Sequence, residues 1–514
     1  MSKTIIIIGA GLAGLSAALQ AAENGCNVKL VSSLPSERAQ SVMAEGGINA
    51  ALNTKDENDS PEEHFTDTIK AACGLADPNA VWGMTQAAPE LVHWLLKLGV
   101  KFNMSGYDDV DLRNFGGQKK KRTAFAQSDT GKQIMTAMID AVRRKEASGM
   151  VERFSHHSFL TLRLCGNICC GCVIRDEYSQ ETVELPGDAV IVATGGMHGL
   201  FGNTTGSLSN TGEVTAELFR LGVPLANGEM IQYHPTTVKC GGKRMLISEA
   251  ARGEGGRLFA MKDGKQWYFM EEKYPELGNL MPRDITAREI WKVSHESEVF
   301  LDMTEISEEI ISNKLSGLAD DCMTYLHKDI RKEPVSVLPG IHYFMGGILV
   351  DEQHRTPIQN LYAAGECCAQ YHGANRLGGN SLLGALYGGR VAAKSACEQA
   401  DVVDLSCATQ IDFPPASQIS EIKQLNKVMQ ETMGVVRNEN TLLNGIQTVQ
   451  ALTGNLPLLG MAVLKSALAR KESRGAHWRE DYPKSNDNDY LKTTVARFDG
   501  KQIQISFVLV PERR

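Results

Sequence analysis

The sequence has no excess of positive charge. Its 514 residues are enough for about three domains. Lysine and arginine number 53 against 61 acidic residues, which gives a net charge of −8 at pH 7. This balance argues against a dedicated nucleic-acid-binding protein, so we expect no nucleic acid among its partners. Internal repeats and low-complexity tracts are also missing, which excludes solenoid and fibrous architectures.

An unbroken membrane-spanning run is a second feature that the sequence lacks. Residues Thr4–Ala22 are uncharged and follow Lys3, as in a signal peptide or a membrane helix. Three glycines interrupt this run, however, and Glu23 follows it directly. We therefore predict neither a leader nor a membrane span here, and we expect a cytoplasmic protein.

The 12 cysteines show neither a disulfide framework nor a metal-binding pattern. Four of them lie in TLRLCGNICCGCVIRD, where two strand-like runs flank a Gly-Asn turn. Their spacing fits no iron–sulfur pattern, and we interpret them as hairpin residues: Cys165, Cys169, Cys170 and Cys172. Cys367 and Cys368 fall in a turn of small residues and are predicted to be structural. We predict no metal site.

A phosphate-binding turn is present near the start of the chain. In Thr4–Leu15, TIIIIGAGLAGL, four isoleucines predict a strand buried on both faces. Gly9, Gly11 and Gly14 follow in G-x-G-x-x-G spacing and open a predicted helix. The first glycine permits a tight turn, the second lets backbone approach a pyrophosphate, and the third packs the helix on the strand. This context predicts a dinucleotide site.

The acidic residue that usually follows such a turn by about 20 positions is missing. The second predicted strand, Val28–Val31, is followed by Ser32 and Ser33 instead. Serine can hydrogen-bond a ribose or a phosphate, but it does not accept two hydrogen bonds from a diol as a carboxylate does. A plain NAD dehydrogenase is therefore disfavoured.

Two later apolar runs indicate that the chain returns to the same sheet. Asp188–Ala193 ends in Ala193-Thr194-Gly195, and Asn360–Ala364 leads to a helix from Asn380. Between these two runs the sequence pattern changes to short predicted strands and scattered prolines. We predict an α/β protein made of a Rossmann-like nucleotide-binding domain in two parts (1–225 and 336–400), an inserted α+β capping domain (226–335), a C-terminal helical domain (415–474) and a tail with a hairpin (475–514).

Five further segments concentrate histidine, arginine and carboxylate groups: QYHP at 232–235, ISEAARGEGG at 247–256, PRD at 282–284, HYFMGG at 342–347 and HGANRLGGNSL at 372–382. Each alone has a plain structural explanation, such as a turn histidine or an arginine at a helix end. Together, two histidines and up to three arginines would bind a small dicarboxylate, because a guanidinium group matches a carboxylate with two parallel hydrogen bonds. By its ordinary pKa, Glu249 is the natural proton carrier, since arginine normally stays protonated.

These segments resemble the flavoprotein subunit of fumarate reductase and succinate dehydrogenase when they are taken together with six others: IIIGAGLAGL, MAEGGINAAL, RNFGG, VATGG, AAGE and ARKESRGAH. L-Aspartate oxidase belongs to the same superfamily. The resemblance extends in order over nearly the whole chain. It implies FAD between the Rossmann-like and capping domains, with fumarate bound against the flavin. The reaction implied is reduction of fumarate to succinate by hydride from reduced FAD.

The resemblance also implies a role for individual residues. Arg283 matches the arginine that gives a proton to the substrate carbon, and Glu249 and Arg252 match the relay that returns this proton from solvent. Crowding by other guanidinium groups would favour proton loss from Arg283. Substrate contacts fall on His234, Ser248, His342, Arg376 and Phe115. FAD contacts fall on Gly9, Ala10, Gly11, Ala13, Gly14, Ser32, Ser33, Gln40, Ser41, Glu45, Gly46, Gly47, Ala193, Thr194, Gly195, Glu213, Tyr343, Glu366, Ser381 and Leu382.

Two other functions compete with fumarate reduction. L-Aspartate oxidases carry a glutamate in the loop that reads RNFGG here, where it meets the substrate ammonium. Phe115 occupies that position, and an unpaired ammonium beside it would cost several kcal/mol. A non-catalytic FAD scaffold would tolerate loss of the proton relay, whereas Glu249, Arg252 and Arg283 are all present.

Gln40 marks the main departure from the family pattern. Membrane-bound members attach FAD through a histidine in R-S-H-T-V-A-A-E-G-G, and this chain reads Arg-Ala-Gln-Ser-Val-Met-Ala-Glu-Gly-Gly at 38–47. A glutamine amide is not nucleophilic enough for that bond, so we predict non-covalent FAD of lower potential and a bias toward fumarate reduction. The family also implies an iron–sulfur subunit and a membrane anchor, hence attachment to the inner face of the cytoplasmic membrane.

Overall fold

A computed structural model describes residues 2–106, 109–401, 413 and 418–514. The first three residues of the predicted segment 415–474 lie outside this description. The described strands, β1 to β23 in chain order, are Thr4–Ile8, Asn27–Ser32, Ile48–Asn49, Leu112–Arg113, Thr123–Ala124, Val151–Ser155, His157–Cys165, Ile168–Asp176, Thr182–Pro186, Ala189–Val192, Leu225–Ala226, Ile231–Cys240, Lys243–Leu246, Arg257–Lys262, Lys265–Trp267, Val299–Asp302, Val335–Ser336, Leu338–Phe344, Gly347–Leu349, Leu361–Ala363, Cys368–Ala369, Lys492–Phe498 and Ile503–Leu509.

The helices of the same residues, α1 to α15 in chain order, are Leu12–Glu23, Pro61–Ala71, Pro78–Lys97, Thr130–Ala147, Glu213–Arg220, Glu249–Gly253, Phe269–Lys273, Arg283–Val293, Glu308–Lys314, Ser316–Asp321, Asn380–Gln399, Ile419–Thr432, Glu439–Val449, Asn455–Ala469 and Asp487–Tyr490. None of them, over the described residues, is long and apolar enough to cross a membrane.

A five-stranded parallel sheet in the order β20-β10-β1-β2-β6 organises the nucleotide-binding part. Its central strand β1 is fully buried at Ile5, Ile6 and Ile7, as the run of isoleucines predicted. Ile7 pairs with Leu30 on one side and with Ile191 on the other. Because all five strands are parallel, their carboxyl ends meet at one edge of the sheet.

The segment between the two parts of this sheet has a hydrophobic core of its own. Its buried members lie within 247–337, apart from Phe115, which reaches in from the RNFGG loop. Antiparallel strands β14 to β17 form one sheet there, and β12, β13 and β18 form another. Phe115 is thus a packing contact between the inserted segment and the rest of the chain.

The C-terminal hairpin forms part of a larger sheet. Strands β22 and β23 pair as predicted, but β22 also pairs with β11, so that the hairpin completes a sheet in the order β21-β19-β11-β22-β23. The cysteine hairpin also forms as predicted, from β7 and β8, with Cys169, Cys170 and Cys172 as buried free thiols.

A run of four basic residues such as Lys119–Arg122 is usually a solvated face, but this run is only partly exposed. Lys119 is exposed, whereas Arg122 is fully buried and lies 2.9 Å from a carboxylate oxygen of both Asp59 and Asp67. Arg122 departs from the rule because two acidic residues distant in sequence supply its counter-charges.

Candidate active site

A cavity of about 1270 Å³ lies at the carboxyl edge of the parallel sheet. One wall comes from the β1–α1 turn, the ends of β2 and β10, and the start of α11. The opposite wall comes from β12, β13, β18 and the first residues of α6 and α8. The cavity therefore lies between the sheet and the inserted segment.

The β1–α1 turn has the geometry that a pyrophosphate requires. A Cβ atom on Gly9 would lie 2.3 Å from the carbonyl oxygen of Ala193, and one on Gly14 would lie 1.8 Å from the carbonyl oxygen of Gly9. At Gly11, in contrast, a Cβ atom would make only ordinary contact, with Ser41 Oγ at 3.6 Å. The N-cap residue Gly11 has no capping side chain, and the first N–H of α1, that of Leu12, donates to Ser41 Oγ at 3.2 Å. The next N–H groups and the positive potential of this helix end suit a phosphate.

A second helix N-terminus points into the same cavity. Gly379, at φ +84°, precedes α11, and no side chain caps this helix either. The side chain of Asn380 is fixed from behind by Asn49 at 2.7 Å and by His64 at 2.9 Å. The start of α11 is thereby held in place while its N–H groups stay available to a ligand.

Several buried polar atoms of the cavity wall have no hydrogen-bond partner among the described residues: Ser32 Oγ, Glu45 Oε2 and Arg376 Nε. Such atoms are costly when buried without a partner. Burial, and then the charge of Asp321, raise the pKa of Glu45 to about 8, so that this carboxyl group is mostly protonated at neutral pH. Together with the glycine turn, these donors and acceptors fit the phosphates, sugar and ring system of FAD.

A buried chain of three charged residues meets the other end of the cavity. Arg283, the first residue of α8, donates to Glu249 Oε2 from Nε at 2.8 Å and from Nη2 at 2.6 Å. Arg252 donates to the other oxygen, Oε1, at 3.2 Å, and the backbone N–H of Gly116 does the same. Burial alone would raise the pKa of Glu249, but the two guanidinium groups hold it below its ordinary value. Glu249 is therefore an ionised bridge between two arginines.

Two histidines and a second cavity arginine lie beside this chain. The rings of His234 and His342 are 5.1 Å apart, and Nδ1 of His342 lies 2.8 Å from Oγ1 of Thr205. Burial and nearby cationic groups hold the pKa of both histidines well below 6.5, so both are neutral. Arg376 stacks on the ring of Tyr343 at 4.3 Å. Burial, and then the charge of Arg283, lower the pKa of Arg376 to about 9.

The cavity brings together nearly all the residues that the sequence predicted for the site. The predicted cofactor, substrate and catalytic residues line it except two, Gly14 and Arg252. Gly14 serves helix packing, and Arg252 lies behind Glu249. No individual role was assigned from the sequence to Thr205, to Gly379 or to Gln232, whose amide oxygen accepts from Arg283 Nη1 at 3.1 Å. Gln232 and Gly379 lie within the QYHP and HGANRLGGNSL segments, which were the available signal, whereas no sequence signal marked Thr205.

The glycine turn, the two uncapped helix N-termini and the buried arginine–glutamate chain together define an FAD-dependent oxidoreductase. Comparison with known sequence families agrees: the FAD binding domain family matches residues 4–382, and the fumarate reductase flavoprotein C-terminal family matches residues 453–511. The chain belongs to the family of succinate dehydrogenase and fumarate reductase flavoprotein subunits.

Succinate dehydrogenase and fumarate reductase subunits are both among the relatives, and each match covers most of the relative's length. The succinate dehydrogenase flavoprotein subunit of Bacillus subtilis is 38% identical over 100% of this chain and 98% of its own. The 8-methylmenaquinol:fumarate reductase flavoprotein subunit of Wolinella succinogenes is 32% identical over 97% of this chain and 89% of its own. A solved structure of E. coli quinol fumarate reductase FrdA, 27% identical, superposes with a TM-score of 0.90 over 99% of this chain and 97% of that one. These comparisons confirm the predicted family, fold class and cofactor.

Proposed function

We propose that this flavoprotein reduces fumarate to succinate, with Arg283 as the proton donor. The observation that carries the proposal is the buried chain Arg283–Glu249–Arg252, which ends at a cavity that also receives His234, His342 and Arg376. FAD, when bound, supplies the hydride. The protein's own task is then to bind a dicarboxylate, exclude water and deliver one proton.

The cationic and neutral donors at this end of the cavity suit two carboxylates. The Arg376 guanidinium is charged below about pH 9 and has an unpaired Nε. The neutral histidines donate hydrogen bonds without adding charge, and Ser248 adds a hydroxyl at the start of α6. This arrangement orients the substrate without making its two carboxylates equivalent.

The proton path follows from the contacts of Glu249. Arg283 gives a proton to the substrate carbon, and its own proton is restored through Glu249, which touches it at 2.6 Å. Glu249 is restored in turn through Arg252, whose Nη1 donates to the carbonyl oxygen of Asn279 at 2.6 Å.

Non-covalent FAD and a bias toward fumarate reduction are the second part of the proposal. Gln40 lines the cavity at the position where the family pattern has the flavin-linking histidine. Without an electron-withdrawing 8α-imidazole the flavin should be a stronger reductant. For a two-electron couple, about 30 mV corresponds to roughly 1.4 kcal/mol. A modest fall in potential therefore shifts the direction considerably.

Phe115 argues against aspartate as the substrate. Its ring is buried, it lines the cavity, and it contacts Gly46 and Gly378 closely enough that a Cβ on either glycine would lie within 2.9 Å of it. An ammonium group at this apolar ring would lack a counter-ion of its own, because the neighbouring Glu249 carboxylate is already paired with Arg252 and Arg283. Its burial there would cost several kcal/mol. The intact relay argues equally against a non-catalytic FAD scaffold.

We further infer the division of the chain into 1–225 with 336–400 as the FAD-binding domain, 226–335 as the capping domain, 415–474 as the helical domain, and 475–514 as the tail. The separate hydrophobic core within 247–337 supports the capping segment. An iron–sulfur subunit, held by a membrane anchor at the inner face of the membrane, would deliver the electrons. The relatives are themselves named as subunits.

Anaerobic mixing of the chemically reduced protein with fumarate tests the proposal. We expect rapid return of the oxidised flavin spectrum with formation of one succinate per flavin, and no comparable reaction with iminoaspartate or with buffer. A reduced flavin that persists in fumarate would refute the proposed reaction. Equal rates for fumarate reduction and succinate oxidation, with releasable FAD, would refute only the directional part.

A further inference from the structure

Helices α1 and α11 lie side by side and both begin at the cavity. A Cβ atom on Gly389 of α11 would lie 2.3 Å from the carbonyl oxygen of Ala13 in α1. At the same crossing of the two helices, the hydroxyl of Ser16 in α1 donates to the carbonyl oxygen of Leu386 in α11 at 2.7 Å. Packing this close lets the two helices support the cavity as a pair.

Two cysteines lie together where this helix pair ends, away from the cavity. Cys26 is buried in the turn between α1 and β2, and Cys397 is half-buried in the last turn of α11. Their Sγ atoms are 2.8 Å apart, and both are free thiols. A disulfide bond needs a separation of about 2.05 Å. A small movement of either side chain would therefore allow the bond to form.

The site is open to small reagents. A surface crevice lined by Gln20, Asn24, Lys394, Cys397 and Glu398 leads to the half-buried thiol. The ammonium group of Lys3 also lies close by, where it donates to the carbonyl oxygen of Cys397 at 2.7 Å. An oxidant can thus reach Cys397 first, with Cys26 directly behind it.

We propose that Cys26 and Cys397 form a redox modification site, which hydrogen peroxide converts to a disulfide that fastens α1 to α11. The Cys397 thiolate attacks one peroxide oxygen, so that an S–O bond forms, the O–O bond breaks and water leaves. The Cys26 thiolate then attacks the Cys397 sulfur, so that the S–S bond forms and a second water leaves. In sum, two thiols lose two electrons and two protons, and one peroxide becomes two waters. A dithiol reductant reverses the change.

The disulfide would stabilise the half of the cavity that these helices form. Because it joins segments 371 positions apart in sequence, it restricts the unfolded chain strongly. Neither cysteine lines the large cavity, so turnover should not change. Burial and the adjacent Cys26 thiol raise the pKa of Cys397, so the oxidation should be slow at neutral pH and is best run for hours.

The test oxidises the FAD-loaded protein with hydrogen peroxide and compares it with the dithiol-reduced protein. We expect a mass loss of two hydrogens, a peptide pair linked through Cys26 and Cys397, a rise of a few degrees in Tm and slower release of FAD on warming. Cys26→Ser and Cys397→Ser should abolish all four changes, whereas Cys73→Ser, at a half-buried free thiol elsewhere, should keep them. Alanine variants at both positions and the FAD content of each reduced variant check that folding is intact.

Two results would overturn this inference. One is that both thiols remain open to alkylation in the denatured, peroxide-treated protein. The other is that Cys397 gains oxygen atoms while Cys26 stays a free thiol, which would mean over-oxidation rather than a paired site.

Discussion

Replacement of Arg283 by glutamine is the most direct perturbation of the proposed chemistry. The substitution removes the guanidinium group that touches both the cavity and Glu249, and it leaves FAD contacts untouched. Loss of a positioned proton donor lowers turnover by about 10²–10⁴-fold. At 1.36 kcal/mol per tenfold change, this corresponds to about 3–5 kcal/mol in the activation barrier.

The structure also gives the expected cost in stability. Removing one partner of a buried ion pair costs about 3–5 kcal/mol when the remaining charge has no other partner. Glu249 keeps Arg252 and the N–H of Gly116 on its other oxygen, each at 3.2 Å. We therefore expect the lower value of about 1.5–3 kcal/mol that is typical of hydrogen bonds to charged groups. The loss of turnover should thus exceed what partial unfolding explains.

The assay is single-turnover oxidation of the reduced flavin by fumarate, measured with FAD content and urea unfolding on the same sample. Arg288→Gln is the matched control, because Arg288 is on the same helix but contacts Asp284, Gly475 and Trp478 outside the cavity. It should lose stability and keep turnover within about threefold of wild type. Fully FAD-loaded Arg283→Gln that reduces fumarate within about tenfold of the wild-type rate would refute the assignment.

Phe115→Glu is expected to raise the KM for fumarate, because a carboxylate would be added beside the relay glutamate and a dianionic substrate. Phe115→Leu is the control, and an unchanged KM in Phe115→Glu would mean that the loop does not face the substrate. Acid precipitation should leave the yellow flavin in the supernatant, since Gln40 cannot form the covalent link, and flavin fluorescence in the pellet would contradict this. The kcat/KM for fumarate should fall above about pH 9, because Arg376, with its lowered pKa, loses its positive charge there. A profile that stays flat to about pH 10 would show that the charge of Arg376 does not contribute to fumarate binding. Arg122→Met should lower the free energy of unfolding by about 3–5 kcal/mol in urea titrations, because it leaves two buried aspartates without their counter-ion. A loss no larger than that of the exposed Lys119→Met would contradict that account.

The cofactor end of the site could be predicted from sequence because its signals are local. The isoleucines of β1, the glycines of the following turn and the apolar runs of β10 and β20 each carry their structural meaning within a few residues. Ligands bind at the carboxyl edge of such a sheet, so these local signals also locate the cofactor. The substrate end depended on the family resemblance, since residue types alone favoured Glu249 over Arg283 as the acid.

The features that were missed depend on contacts between distant residues. Burial of Arg122 requires Asp59 and Asp67, which are more than 50 positions away in sequence. The pairing of β22 with β11 joins segments that no periodic pattern connects. Propensity and spacing describe a segment and its neighbours, so they do not reveal which charge or strand edge will meet it across the fold.

The order of strands in the parallel sheet has a consequence for biosynthesis. The central strand β1 leaves the ribosome first, but its neighbour β10 begins only at Ala189, and β20 begins at Leu361. The cavity wall is complete only when Ala385 has been made. At about 5–20 residues per second, roughly 20 s or more pass between the synthesis of β1 and that of the last strand of its sheet, β20. FAD capture is therefore a late event in synthesis, and a nascent chain stalled before α11 carries a phosphate-binding turn without a complete cofactor site.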